Sequence, residues 1–187
     1  MLRKPTPAIV KTESAAFGRT FALSEEALRK LREHFPTNTN AAEVLLKALV
    51  LNKLYSTRVN DKDIEPLARH IAGLNIDALL NAGSYDAVDL IANCPTLDRE
   101  YSFATKFCSL HNSAAYPIYD GNADACLWAY QKQDKFGEFF RKDLRKYPVW
   151  VETVKRFRTH YKLGHFSFRQ LDKFLWSEGA RIIKASK

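Results

Sequence analysis

Several patterns are scarce or missing in this chain, and each absence narrows what it can be. No apolar run reaches the length of a membrane span. The opening residues, MLRKPTPAIVKTES, hold no apolar signal core and no small-residue cleavage site, so the cytoplasm is the expected location and no membrane partner is expected. Cysteine is sparse. Cys94, Cys108 and Cys126 are odd in number and never spaced C-x-x-C, which argues against a disulfide frame or a zinc site and for buried, reduced thiols. No stretch shows the period-2 alternation of a half-buried strand. P-loop, G-x-G-x-x-G, EF-hand and Ser-His-Asp patterns are absent. His160 and His165 lie close in sequence, but no carboxylate or cysteine joins them at metal-ligand spacing. Neither a metal nor an organic cofactor is therefore expected.

What the chain does have is helical periodicity. Its 187 residues, 46% apolar and 12% aromatic, suffice for one well-buried domain. Residues 1–20 read as a polar arm, and 21–187 as one compact, multi-helix, all-α domain. Ser24 is placed to open a helix, with Leu23 and Leu28 as a hydrophobic staple, and Pro36 stops it. Asn40 to Tyr55 is apolar nearly all round, which predicts a central buried helix. Further helices are expected over Asp63 to Ala72, Ile76 to Leu80 and Ser84 to the residues before Pro95. Pro148 begins a helix whose inner side is Val151, Val154, Phe157 and Tyr161. Ser167 and Gln170 then form a capping box, stapled by Phe166 and Leu171, that starts the last helix.

Charge is uneven. Residues 1–130 carry 14 Lys+Arg against 15 Asp+Glu, whereas 131–187 carry 15 against 6. The whole excess of positive charge thus lies in the last third, which favours an anionic partner, nucleic acid above all. Lys135, Arg141, Lys142, Arg145 and Lys146, interleaved with Phe136, Phe139 and Phe140, are candidates for gripping a phosphate backbone. So are Lys155, Arg156 and Arg158. The competing reading is a solvated helix face.

The stretch Tyr101 to Ala125, YSFATKFCSLHNSAAYPIYDGNADA, reads as a helix, a loop closed by Tyr116-Pro117, and a second helix opened by Asp120. On the first helix Ser102, Lys106 and Ser109 line up at i−4, i and i+3, with Thr105 beside them, between wide apolar surfaces. No Asp or Glu occupies i±3 or i±4 of Lys106. A lysine so placed near apolar bulk is expected to have a lowered pKa, which favours the neutral, nucleophilic amine needed for Schiff-base chemistry. Asp120 suits a helix cap through its side chain, or a carboxylate beside a reacting sugar.

The string ATKFCSLHNSAAYPIYD resembles the corresponding segment of helix-hairpin-helix DNA glycosylases, especially the 8-oxoguanine-glycosylase-like branch. There a Lys is followed by an aromatic-rich loop, a Pro, and an Asp that opens the next helix. LDKFLWSEGA is similar to their closing helix. The resemblance covers residues 98–130 best and 165–185 next. It implies a base-excision glycosylase, with lyase activity if the Schiff base permits strand cleavage, acting on damaged double-stranded DNA. Lys106 would attack the sugar C1′ and Asp120 would stabilise the developing positive charge. Tyr119, Trp128 and Phe136 become candidates for stacking on the extruded base. The usual glycine turn before the Lys helix is replaced by Pro95-Thr96-Leu97-Asp98-Arg99-Glu100, so the grip on DNA would fall to the basic last third. The alternatives are a non-catalytic nucleic-acid-binding protein, or an adaptor of the phage-defence kind, on the same helical scaffold.

Overall fold

The computed structural model describes residues 2–186. Among them lie ten α-helices and one short 3₁₀ segment, with no strand. In chain order the helices are α1 (Pro7–Thr20), α2 (Ala22–His34), α3 (Ala41–Tyr55), α4 (Asp61–Gly73), α5 (Asp77–Ala82), α6 (Asp86–Ala92), α7 (Tyr101–His111), α8 (Gly121–Asp134), α9 (Tyr147–His160) and α10 (Phe168–Ala185). The 3₁₀ segment, Arg141–Arg145, precedes α9. The helices group into two compact units. One runs from Ala22 to Tyr116; the other is made of the chain before Ala22 and after Tyr116.

In the 22–116 unit, α3 packs on α4, and α7 packs on α6 and α3. Asn40 caps α3 by accepting from the Ala42 and Glu43 amides. Val44, Ala48 and Leu51 face the core, while Leu46, Leu49 and Leu54 stay partly exposed, so α3 is buried on one side rather than all round. At its end Asn52 ties down the next loop, donating to Val59 O and accepting from Thr57 Oγ1 and Val59 N. Gly83 ends α5 in the left-handed region (φ 69°), and a Cβ there would sit 2.8 Å from the Ala115 Cβ. Both facts require glycine at that turn. α2 begins at Ala22, ahead of Ser24. Only Phe21 separates it from α1, so no independent cap is formed and Leu23 is 83% exposed instead of stapled.

In the other unit, α10 is the central element, flanked by α8 and α1. Pro7–Thr20, expected as part of a polar arm, is a helix. Thr6 caps it, Pro7 occupies its first turn, and it is held to α10 by charge and by rings. Arg3 and Arg181 both bond Glu13 and Glu178, the latter 3% exposed, and Phe17 meets Trp176 edge-on at 5.5 Å. A chain segment that is polar by composition is thus ordered by four complementary charges. At the start of α10 the capping box is complete: Ser167 Oγ accepts from Gln170 N, and Gln170 Oε1 accepts from Ser167 N. Phe166 and Leu171 are buried beside it. α8 and α10 approach so closely that Gly179 lies against the Asn122 backbone.

Candidate functional site

Lys106 and the residues around it belong to the 22–116 unit. α7 is enclosed over most of its length: Phe103, Ala104, Thr105, Phe107 and Cys108 are fully buried, and Phe103 stacks with Phe107 at 5.9 Å. Most of the polar stripe is enclosed with them, while Ser102 is half-buried. Ser109 is 6% and Lys106 only 4% exposed. The Lys106 ammonium donates to Ser102 Oγ at 2.7 Å and lies 5.9 Å from the centre of the Tyr55 ring, on α3. Thr105 Oγ1 donates to the Ser102 carbonyl. A hydroxyl oxygen and an aromatic face are both favourable to a cation.

The amino end of α7 is acidic. Glu100 stands at the cap position without a side-chain cap bond, and its own amide donates to Ala92 O. Burial, together with Asp63 and Asp98, holds its carboxyl above the ordinary carboxylate range. Negative side chains gather where a helix start would otherwise receive a phosphate.

The loop after α7 is fixed from within the unit. Asn112 Nδ2 donates to Leu80 O, and the Asn112 carbonyl accepts from the Ala115 and Tyr116 amides. The Tyr116 hydroxyl lies 3.0 and 2.8 Å from the Leu79 and Ser84 carbonyls. His111 packs its ring on Phe107 at 5.2 Å. Its Nε2 is buried without a hydrogen-bond partner, and burial pulls its pKa down to about 4, against the pull of Asp77.

A second buried lysine was not singled out by its sequence context. Lys47 lies in the apolar run Val44–Leu51 of α3 and is fully enclosed. Its ammonium donates to Phe35 O (3.1 Å), Thr37 O (2.6 Å) and Asn38 Oδ1 (2.6 Å). Asp77 in turn accepts from Asn38 N and Nδ2. Burial lowers the Lys47 pKa to about 8, although Asp77 and Glu43 oppose this. Three acceptors make it a tether for the α2–α3 connection, not a site. The lone cation in an eight-residue apolar run was the available clue.

Asp120 belongs to the other unit. Its extended backbone (φ −149°, ψ 170°) places Oδ1 to accept from Ala123 N at 2.8 Å, which makes it the cap of α8. The chain leading to it is held by its backbone: Tyr147 and Trp150 both donate to Pro117 O, and Ile118 N donates to Asp172. One turn along α8, Asp124 is buried and accepts from Arg141 Nε at 2.6 Å and from the Tyr119 hydroxyl.

All eight basic residues singled out in the sequence fall in this unit, which holds 19 Lys+Arg against 9 Asp+Glu. The 22–116 unit has 10 against 12. Lys135, Arg141, Lys142, Arg145, Lys146, Lys155 and Arg156 are exposed. Arg141 is engaged by Asp124, Lys146 by Asp143 and Arg156 by Glu152. Arg158 is half-buried over the Phe168 ring. Of the rings, Tyr119 and Phe136 are core residues, 9% and 8% exposed: Tyr119 meets Trp150 edge-on, and Phe136 packs against Phe157. Trp128 is half-buried beside Phe139. Phe140, part of the same aromatic run, is 72% exposed.

The three cysteines are free and buried. Burial drives the Cys108 and Cys126 thiols well above their ordinary pKa. Among the described residues no three His, Cys, Asp or Glu side chains converge as metal ligands, and no helix is long and apolar enough to cross a membrane.

Residues 9–115, more than half of the chain, match a family described as HI_0787_N, N-terminal domain. An uncharacterized protein of Haemophilus influenzae is 36% identical over 140 residues, which cover 73% of this chain and 66% of that relative. The match thus spans just under two thirds of the relative's length. No solved structure matches.

Proposed function

The chain belongs to the HI_0787_N family, and we propose that it acts on DNA as a base-excision, glycosylase-like protein with Lys106 as its nucleophile. The observation that carries this reading is the setting of Lys106: an almost fully enclosed ammonium on α7, touching a serine hydroxyl and facing a tyrosine ring. The local context of the resemblance supports it too. A lysine helix, a fixed loop, Pro117 and a helix capped by Asp120 follow one another in that order.

In the proposed reaction the Lys106 amine attacks C1′ of a damaged nucleotide and the bond from C1′ to the base breaks. The base leaves with the electron pair and takes up a proton, and the attacking nitrogen gives up one. Ring opening then yields a Schiff base, from which elimination cleaves the strand. In the glycosylases that this segment resembles, a carboxylate at the position of Asp120 supplies negative charge while C1′ is electron-poor. Exposed cations of the basic unit hold the phosphates.

Borohydride trapping on an abasic duplex tests this directly, because reduction of the Schiff base leaves a permanent covalent adduct. The adduct is expected with the wild-type chain and absent with Lys106→Ala. An adduct that survives the substitution would remove Lys106 from the role.

The acidic start of α7 favours a second reading, in which the chain binds nucleic acid without catalysis. In that case DNA affinity falls steeply with salt and no adduct forms on any lesion.

A further inference from the structure

Phe140 carries an exposed ring on a segment that is otherwise firmly built. Upstream, Lys135 ends α8 in the left-handed conformation, and the Gln131 side chain clamps Gly137, accepting from its amide and donating to its carbonyl. Phe136 is buried against Phe157 and Tyr161. Downstream, the Phe140 carbonyl accepts from Asp143 N, and Leu144 is fully buried in the 3₁₀ segment. Anchors on both sides therefore hold the backbone that carries a ring 72% exposed.

Its surroundings are cationic. Lys142 Nζ lies 5.9 Å from the Phe140 ring centre, and Lys132 lies 5.6 Å from that of Trp128. Phe139, next to Phe140 in the chain, meets Trp128 edge-on at 6.2 Å. Within residues 135–146 five cations face two acids, and Lys146 already engages one of those acids, Asp143.

We infer that Phe140 is a stacking residue for nucleic acid: its ring packs on a base left unstacked in the bound strand, while Lys142 and its basic neighbours take the adjoining phosphates. The inference rests on the nucleic-acid part of the proposed function and is independent of Lys106 chemistry. A rigid ring pays little entropy on stacking, and a flat face accepts any base. The excess of cations beside it favours a polyanion, which a neutral protein partner would not exploit. An anionic membrane is the weaker match, because surface anchoring scales with apolar area and a single ring offers little.

Fluorescence anisotropy on a duplex with a central tetrahydrofuran abasic site, and on its intact counterpart, tests the inference. The wild-type chain is expected to prefer the abasic duplex. Phe140→Ala should weaken that binding by about 5- to 150-fold with an unchanged slope of log affinity against log salt. Phe140→Trp should restore it. Lys142→Ala should instead flatten the salt slope by about one. If Phe140→Ala binds like wild type, the stacking role is wrong and the proposed function stands. If the wild-type chain binds neither duplex at low salt, the nucleic-acid reading falls and the stacking role with it. Phosphatidylserine vesicles provide the third arm: loss of vesicle binding in Phe140→Ala, with DNA binding untouched, would assign the ring to a membrane surface.

Discussion

Gly179→Ala is the sharpest test of how Asp120 is positioned. Gly179 is buried on α10, where a Cβ would fall 1.9 Å from Asn122 O, 2.5 Å from Asn122 C and 3.0 Å from Asn122 Cα. These are backbone atoms in the first turn of α8, two residues beyond Asp120, so no side-chain rotation relieves the contact. Either the helices move apart by more than 1 Å or the α8 start is displaced. Overpacking of this kind costs about 1–3 kcal/mol, and a backbone obstacle belongs at the upper end. The better helix propensity of alanine returns about 1 kcal/mol, leaving a net loss of about 2 kcal/mol. For a chain of this size that lowers Tm by about 4–8 °C. Gly121→Ala is the matched control on α8 itself. Nothing lies within 4 Å of its would-be Cβ, so the same change should leave Tm unaltered or slightly higher. Thermal melts followed by circular dichroism at 222 nm, about the usual helix wavelength, compare the two. A Gly179→Ala protein as stable as wild type would refute the close approach, and with it this account of what holds the Asp120 turn.

Three further perturbations probe the rest. Lys47→Met removes the donor to Phe35 O, Thr37 O and the buried Asn38 Oδ1, and should cost about 1–3 kcal/mol in urea unfolding; an unchanged midpoint would show that the tether is unimportant. His111 is held to a pKa of about 4 against 6.5 when free, so between these values the unfolded chain binds the extra proton. Stability should therefore fall as pH drops from 6.5 towards 4, and His111→Phe should remove that part of the slope when the two pH profiles are subtracted. Asp120→Asn keeps a side-chain oxygen for Ala123 N and should hold Tm, whereas Asp120→Ala should lose about 1 kcal/mol; adduct formation with abasic DNA should fail in both if the carboxylate charge is needed.

The helices were legible because their termini are written locally. Asn40, Ser167 with Gln170, and Asp120 all cap where their residue types predict, since a cap needs only a side chain and amides two or three residues away. Pro36 lies just beyond the end of α2 for an equally local reason. Order that comes from distant partners is not written locally. α1 looked like an arm because its binding to α10 depends on the pairing of Arg3 and Glu13 with Glu178 and Arg181, more than 160 residues away. Tyr119 and Phe136 looked like stacking rings, yet burial is decided by the elements that cover them, and Phe140 in the same run is the ring left outside. Lys47 is hard to read from sequence because two of its three acceptors are backbone carbonyls, which leave no trace in residue types.

Charge and enclosure are divided between the two units, and that division orders the experiments. The enclosed lysine lies in the 22–116 unit, which carries 10 Lys+Arg against 12 Asp+Glu and an acidic start to its lysine helix. The cations, the exposed ring and the capping aspartate lie in the other unit. The family match ends at residue 115, so it takes in Lys106 but neither Asp120 nor the basic third. A loss of DNA affinity should therefore follow substitutions beyond residue 115 and leave trapping competence limited only by occupancy. A loss of trapping at saturating DNA should follow Lys106. If affinity instead depends mainly on residues of the acid-rich unit, electrostatics cannot be the source of binding, because that unit repels a polyanion overall.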